Sequence, residues 1–403
     1  MARYIGIRHR VKQTADQESR PTQVVITEDG DNVSYDLADE TAELDWLLGR
    51  YPVEFRKVAE GEDLSEFLPH HVILDKKDQP VRVPAEFDGF RPVDTVAMTL
   101  GGSGDPLAYA LSRRAKEIGA KVMRIPPAKL KEMRTSDGDK NDDASLLSEL
   151  IQSRHDLFYE TGPRDRDLIM LRECLRARTD AMKARIGCEQ RLRQHFIGMA
   201  FCNPDGRYPE GSVEKAFEER SASSAILKAL TEEEEERWND LKGAVEALDV
   251  YREIFAPIKG VGPRIAAGII AGIGDIRRFP TDAKLKAFCG VHVLPDGRMA
   301  RRRGGEVANW NADVRQSLYL LGDQFNRRPD TRWGQLLREY KAKIREKHPE
   351  KEVSESGKSR YSDGHVHKMA TWKTLSKFVE WLWREWWKLE QAHQQKLQQA
   401  EAT

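Results

Sequence analysis

The sequence predicts an α/β domain followed by a mostly helical remainder. Three observations lead there. Between Val93 and Ile125 the chain reads strand, glycine turn, helix, strand, the order of a βαβ unit. From residue 164 to residue 255, apolar residues recur at helical spacing amid dense charge, as in long solvated helices. Ile258 to Ile270 reads as a helix end, a Gly260-Val261-Gly262 hairpin and a new helix opened by Pro263, whose missing N–H costs nothing in a first turn.

A chain of 403 residues calls for two or more domains. Its 39% hydrophobic fraction supports real cores, and its 33% charged residues point to solvated helices or a polyanion partner. The net charge is zero, so a nucleic-acid surface has to be local. Cys174, Cys188, Cys202 and Cys289 form no CxxC pair and no zinc-type cluster. A reducing cytoplasm is the simplest expectation. No apolar run has the length of a membrane span, and Met1 to Ile7 does not read as a signal peptide.

Taken in order, Tyr4 to Ile7 reads as a strand, and Val24–Ile26 with Val33–Tyr35 as a hairpin around Glu28-Asp29-Gly30-Asp31. Glu40 to Leu48 is helical. Residues 51–91 read as a largely irregular insertion, with one strand at Val72–Leu74. Val93–Met98 suits a buried strand. Gly101-Gly102-Ser103-Gly104 then turns into a helix from Pro106, and Val122–Ile125 is the next strand. After Pro126-Pro127, an aspartate-rich run opens another helix. Asp139 and Asp143 stand four apart and can share its face. They serve either as metal ligands or as capping and dipole-compensating acids.

Residues 164–255 read as two charged helices broken near Asn203-Pro204-Asp205-Gly206, an antiparallel coiled-coil arm. Residues 255–345 hold eighteen Lys and Arg against eight Asp and Glu. Their centre is Arg298, Arg301, Arg302 and Arg303, followed by two glycines. Together with Lys259, Gly260, Gly262 and Arg264 at the hairpin, they form a candidate nucleic-acid surface. Residues 346–364 read as a loose linker. A tryptophan-rich helix follows from His365, its rings better suited to burial than to base stacking.

This order of parts resembles the DEDD-type transposases of bacterial insertion sequences, relatives of the Piv/MooV DNA invertases. Three anchors carry the resemblance: Tyr4-Ile5-Gly6-Ile7; the stretch from Val96 through Gly101-Gly102 and Pro106-Leu107-Ala108 to Ile125-Pro126-Pro127 and the Asp139–Ala144 run; and Ile258–Ile270 with Ile273–Pro280, Phe288-Cys289-Gly290 and Val314–Leu318. The resemblance implies a RuvC-like (RNase H-like) domain over 1–163, with the insertion at 51–91. The coiled-coil arm follows over 164–255, then a mostly helical transposase domain with a helix-hairpin-helix-like element over 256–345. The linker occupies 346–364 and the terminal helix 365–403. It also implies an oligomeric recombinase, a homodimer or homotetramer, that binds DNA and in some members is guided by a structured RNA. Family carboxylates hold magnesium, and a serine in the C-terminal domain attacks DNA.

The chemistry-bearing positions depart from that pattern. Arg8 stands where the first acid is expected and Met98 at the second. Asp143-Ala144 fits the usual Asp-x-x-Asp-Ala run, but Lys140 replaces its first acid. Asp296 precedes the glycine where the nucleophilic serine belongs, and Ser317 lies on a later helix. A cation at position 8 opposes magnesium directly. The expectation is therefore a nucleic-acid-binding protein of a mobile element with strand cleavage lost or altered. Asp139 and Asp143 are then residual metal positions. Binding needs no cofactor, and magnesium enters only with cleavage. An active recombinase with a relocated site, using Ser103 or Ser317, and a coiled-coil scaffold are the competing expectations.

Overall fold

In the first half of the chain, β1 (Tyr4–Arg8), β2 (Thr22–Glu28) and β3 (Asp31–Leu37) lead into α1 (Glu40–Leu47). Next come β4 (Tyr51–Lys57), β5 (Ile73–Leu74) and β6 (Pro80–Asp88). After them run β7 (Thr95–Thr99), α2 (Asp105–Ile118), β8 (Lys121–Ile125), α3 (Pro127–Met133), α4 (Asp143–Ser153) and β9 (Tyr159–Glu160). The computed structural model describes residues 3–11, 19–134, 142–208, 210–294, 299–300, 310–353 and 359–401. The chain divides into two units, Met1–Arg166 and Asp167–Thr403.

The main sheet of the first unit has the order β3-β2-β1-β7-β8-β9. β1 runs antiparallel to β2 and parallel to β7, and β7 runs parallel to β8. The β2–β3 connection turns through Asp29 (φ 50°) and Gly30 (φ 93°), the left-handed pair that an Asp-Gly hairpin supplies. The side chain of Asp39 caps α1 by accepting from the N–H groups of Thr41 and Ala42. One face of the sheet carries Ile5, Ile7, Val96 and Met98 against Trp46, Leu107 and Leu111. The other face carries Ala97, Met123 and Ile125 against Leu147, Leu150 and Ile151. Both faces of the central strands are therefore covered, so their sequences read as unbroken apolar runs.

Helix α4 lies almost on the backbone of β1. A Cβ added to Gly6 would overlap the carbonyl oxygen of Ala144 and crowd the Ser148 nitrogen at 2.7 Å. Ser148 Oγ donates to the Tyr4 carbonyl at 2.9 Å. At the start of β1, Arg3 is 4% exposed and pairs with Asp88 at 2.9 Å and Asp94 at 2.7 Å. It also donates to the Gly89 carbonyl.

Residues 51–88 are more ordered than their sequence suggests. They form a three-stranded sheet, β4-β6-β5. Tyr51, Val53 and Phe55 of β4 and Val81, Val83, Ala85 and Phe87 of β6 do alternate with other residues, but Pro52, Pro80 and Pro84 within the runs argue against strands.

The second unit takes in most of α5 (Pro163–Phe201), then α6 (Val213–Ser221), α7 (Ala225–Glu246), α8 (Pro263–Ile273) and α9 (Asp282–Phe288). It ends with α10 (Ala312–Arg327), α11 (Arg332–Lys347), the short strands β10 (Glu352–Val353) and β11 (Ser359–Arg360), and α12 (Asp363–Glu401). Arg178 and Arg185 of α5 both pair with Glu234 of α7, at 2.9 and 2.6 Å. Farther along α5, Arg193 pairs with Glu214 of α6 at 2.5 Å, and Phe196 meets Phe217 with ring centroids 5.9 Å apart. Partners fall in number as α5 rises, so the helices run antiparallel. The returning half is two helices rather than one.

Gly268 and Gly272 let α10 pack against α8: a Cβ at either would overlap Ser317 or Val314. Leu318, Leu321, Phe325, Trp333, Leu375, Phe378 and Leu382 fill the core around them. The tryptophans of α12 serve this packing. Trp386 is buried, and the Nε1–H groups of Trp383 and Trp387 both donate to the Phe279 carbonyl, at 2.9 and 3.2 Å. The expected loose linker at 346–364 instead contains the β10–β11 pair, with residues 354–358 outside the described ones. No helix of the described residues is long and apolar enough to cross a membrane.

Replacing Gly6 with Ala should lower the stability of the first unit by about 1–3 kcal/mol or more, because both clashing groups are backbone. Urea unfolding of the full chain reads this directly, and an unchanged midpoint would contradict the close approach.

Candidate nucleic-acid interface

The hairpin forms where α8 begins. Gly260 has φ +90°, a backbone open to glycine and strained for other residues. Val261 is buried and its N–H donates to the Ile258 carbonyl at 3.0 Å, which anchors the turn. Gly262 is extended and caps α8 without a side-chain hydrogen bond. The amides of Ile265 and Ala266 donate back to its carbonyl at 3.2 Å. Lys259, Gly262 and Arg264 are exposed. A helix start with exposed cations beside it favours an anion.

A third cation reaches this turn from the C-terminal end of α10. The guanidinium of Arg328 lies across Gly260, where an added Cβ would come within 2.5 Å of its Cζ. Gln324 Oε1 accepts from Arg328 Nη1 at 2.6 Å and holds it there. Sequence reading missed Arg328 because sixty-eight positions separate it from Gly260. The close approach alone joins them. Arg264 also lines a cavity with Arg178, Thr231, Glu234, Glu235 and Trp238. Burial first, and then the charge of Arg264, push the Arg178 guanidinium below its usual pKa.

The basic loop itself, with Arg298, Arg301, Arg302 and Arg303, lies outside the described residues, as does Asp296. Its border is described. Arg315 donates to the Ala300 carbonyl at 2.6 Å. Its guanidinium stacks between Trp310 and Trp372, 4.6 Å from each ring centroid. Burial lowers its pKa. Arg315 falls within a motif of the sequence reading that assigned it no role, since its second ring, Trp372, is too distant in sequence to leave a local signal.

The expected acid positions do not assemble a metal site. Arg8 ends β1 on the same face as Gly6, which faces α4. Met98 is the register partner of Ile7, not of Arg8, and shares the opposite apolar cluster with it. Arg8 Nε is buried and has no hydrogen-bond partner among the described residues. Asp143 is buried at the start of α4, and Arg134 grips both its oxygens at 2.7 Å. Asp139 and Lys140 lie outside the described residues. Magnesium asks for several carboxylates around one point. The described residues offer one carboxylate already held by an arginine, with Arg8 near the place of another, so they do not fit the ion. Ser317 donates to the Asp313 carbonyl at 3.0 Å and packs on Gly268, the placement of a helix-contact residue.

Gly260→Ala should destabilise the second unit by about 1–3 kcal/mol through its positive φ and the displaced Arg328. Adding Arg328→Ala relieves the overlap and leaves the backbone strain, so the double variant should recover part of the loss in a thermal-melt cycle. Full recovery would show that the backbone at 260 is unstrained.

Residues 252–332, which hold the hairpin, α8, α9 and α10, match the family described as Transposase IS116/IS110/IS902 family. A comparison with curated proteins gave no match. The segment that builds the Lys259–Arg264 hairpin and the Arg328 contact is thus similar to an insertion-sequence transposase domain.

Proposed function

We propose that this protein binds the DNA of a mobile element as a transposase-like factor, and that the magnesium-dependent cleavage of its family is lost or altered. The observation that carries this is the replacement of carboxylate by guanidinium at the sheet. Arg8 ends the central strand, and Arg134 closes on Asp143. A dication there would meet like charge.

The strand order supports a RuvC-like reading of the first unit. Three antiparallel strands continue through β1 into parallel β7 and β8, with α4 across β1. The hairpin cations support backbone binding, which is the sequence-independent share of DNA affinity. Phosphate contacts of this kind suit a structured guide RNA equally well, as some members of the resembled family use. The antiparallel pairing of α5 with α6 and α7 supports an arm used to assemble a homodimer or homotetramer. A cytoplasmic protein fits the four free cysteines.

Filter binding of the element's end DNA across a salt series tests the binding reading. Lys259→Ala and Arg264→Ala should each weaken affinity uniformly across sequences and lower the log–log salt slope by about one. Salt-independent binding, or slopes unmoved by both variants, would overturn it. Magnesium should leave the melting temperature unchanged and support no nicking. Magnesium-dependent nicking abolished by Asp143→Asn would restore the family's usual chemistry.

A further inference from the structure

We propose that Ser103, His9 and Glu43 form a hydroxyl-activating triad, with Ser103 as nucleophile toward a phosphodiester. The activation stands on the geometry, and only the choice of substrate rests on the nucleic-acid reading above. The three residues come from three elements of the first unit. His9 follows the last residue of β1, Glu43 sits on α1, and Ser103 lies in the turn between β7 and α2.

His9 Nδ1 is 3.0 Å from Ser103 Oγ, and its Nε2 is 3.4 Å from Glu43 Oε1. The chemistry of the partners orders the protons. An ionised carboxylate only accepts, so Nε2 carries the imidazole proton toward Glu43. Nδ1 is then the acceptor, and the Ser103 hydroxyl donates to it. The Arg10 carbonyl, 3.4 Å from Ser103 Oγ, is a weaker competing acceptor. This is the nucleophile–base–orienter logic of covalent hydrolases, with the two ring nitrogens exchanged.

The surroundings hold the arrangement. Glu43 is 6% exposed. Thr22 Oγ1 donates to its Oε1 at 2.5 Å, and Arg10 Nε lies 3.7 Å away. Arg10 itself pairs with Glu40. Gly104 makes the approach possible, since a Cβ there would press on His9 Cβ at 3.0 Å and Met98 Cε at 3.3 Å. Burial first lowers the His9 pKa, and Arg10 adds to this against the opposing charges of Glu43 and Asp105. The shift favours the neutral imidazole, the form able to take a proton. The carboxylate of Asp105 is engaged by Arg124. Ser103 is exposed, so a substrate can reach it. Helix α2 starts beside it without a side-chain cap, and its first-turn amides suit a phosphoryl oxygen.

The step balances without a cofactor. Ser103 Oγ forms a bond to phosphorus while its proton passes to His9 Nδ1. The bond from phosphorus to the leaving nucleotide oxygen breaks, and the imidazolium returns that proton to the leaving alkoxide. The products are a strand joined to Ser103 as a phosphodiester and a strand ending in a hydroxyl.

A fluorophosphonate probe on the full chain, read by peptide mass spectrometry, tests the activation. Ser103 should react about tenfold or more faster than Ser317, and His9→Asn should reduce its labelling by about tenfold or more at unchanged circular dichroism. Labelling of Ser103 no faster than Ser317 would overturn the triad, and this comparison needs no variant to fold. Labelling indifferent to His9→Asn would overturn it too. The same chain is then incubated with an oligonucleotide that it binds. A covalent adduct at Ser103 supports the phosphodiester assignment, and its absence overturns that assignment. If no oligonucleotide binds at all, the nucleic-acid reading fails while probe labelling of Ser103 still upholds the activated hydroxyl.

Discussion

Both units depend on a helix coming so close to a glycine backbone that a side chain there would forbid it. In the first, Gly6 lets α4 rest on the central strand, and Ala144 occupies the space of a missing Cβ. In the second, Gly268 and Gly272 let α10 rest on α8 in the same way. Interiors pack at crystal-like density, so these contacts set the positions of what lies beyond them. The helix that presents Asp143 is placed by the first contact. Helix α10, which presents Arg328 to the hairpin, is placed by the second.

Charge in this protein is local. The net charge is zero, yet cations stand at the points where an anion could be met. Lys259 and Arg264 flank the hairpin, and Arg328 crosses Gly260. Arg8 ends β1, and Arg134 holds Asp143 at the start of α4. On the function proposed above, an anion-binding surface persists without metal chemistry, because each relies on the opposite sign of charge. Where the acids are missing, a hydroxyl with a neutral imidazole is a nucleophile that needs no dication.

Much of the architecture was legible. The β2–β3 hairpin followed from Asp29-Gly30, the βαβ unit from its glycine turn, and α8 from Pro263 and its isoleucines. Each signal is local. The small sheet of residues 51–88 was missed although β4 and β6 alternate, because Pro52, Pro80 and Pro84 argue against strands there. The α5 seam was half legible. Leu168 and Leu171 pack as the pattern suggests, but farther along Arg178 and Arg185 replace apolar residues and meet Glu234. A reading that counts apolar positions passes over such ion pairs.

The sequence by itself determined the order of most elements, the transposase-type segment, the hairpin and the residue types at the expected acid positions. These follow from residue types and near-neighbour spacing, where glycine, proline and charge act through local backbone geometry. Only the tertiary structure decided which distant groups share a point in space. It placed Arg328 over Gly260, Arg315 between Trp310 and Trp372, and His9 between Ser103 and Glu43. Such meetings depend on how strands register and helices cross. Those are set by packing of the whole core, which no local spacing records.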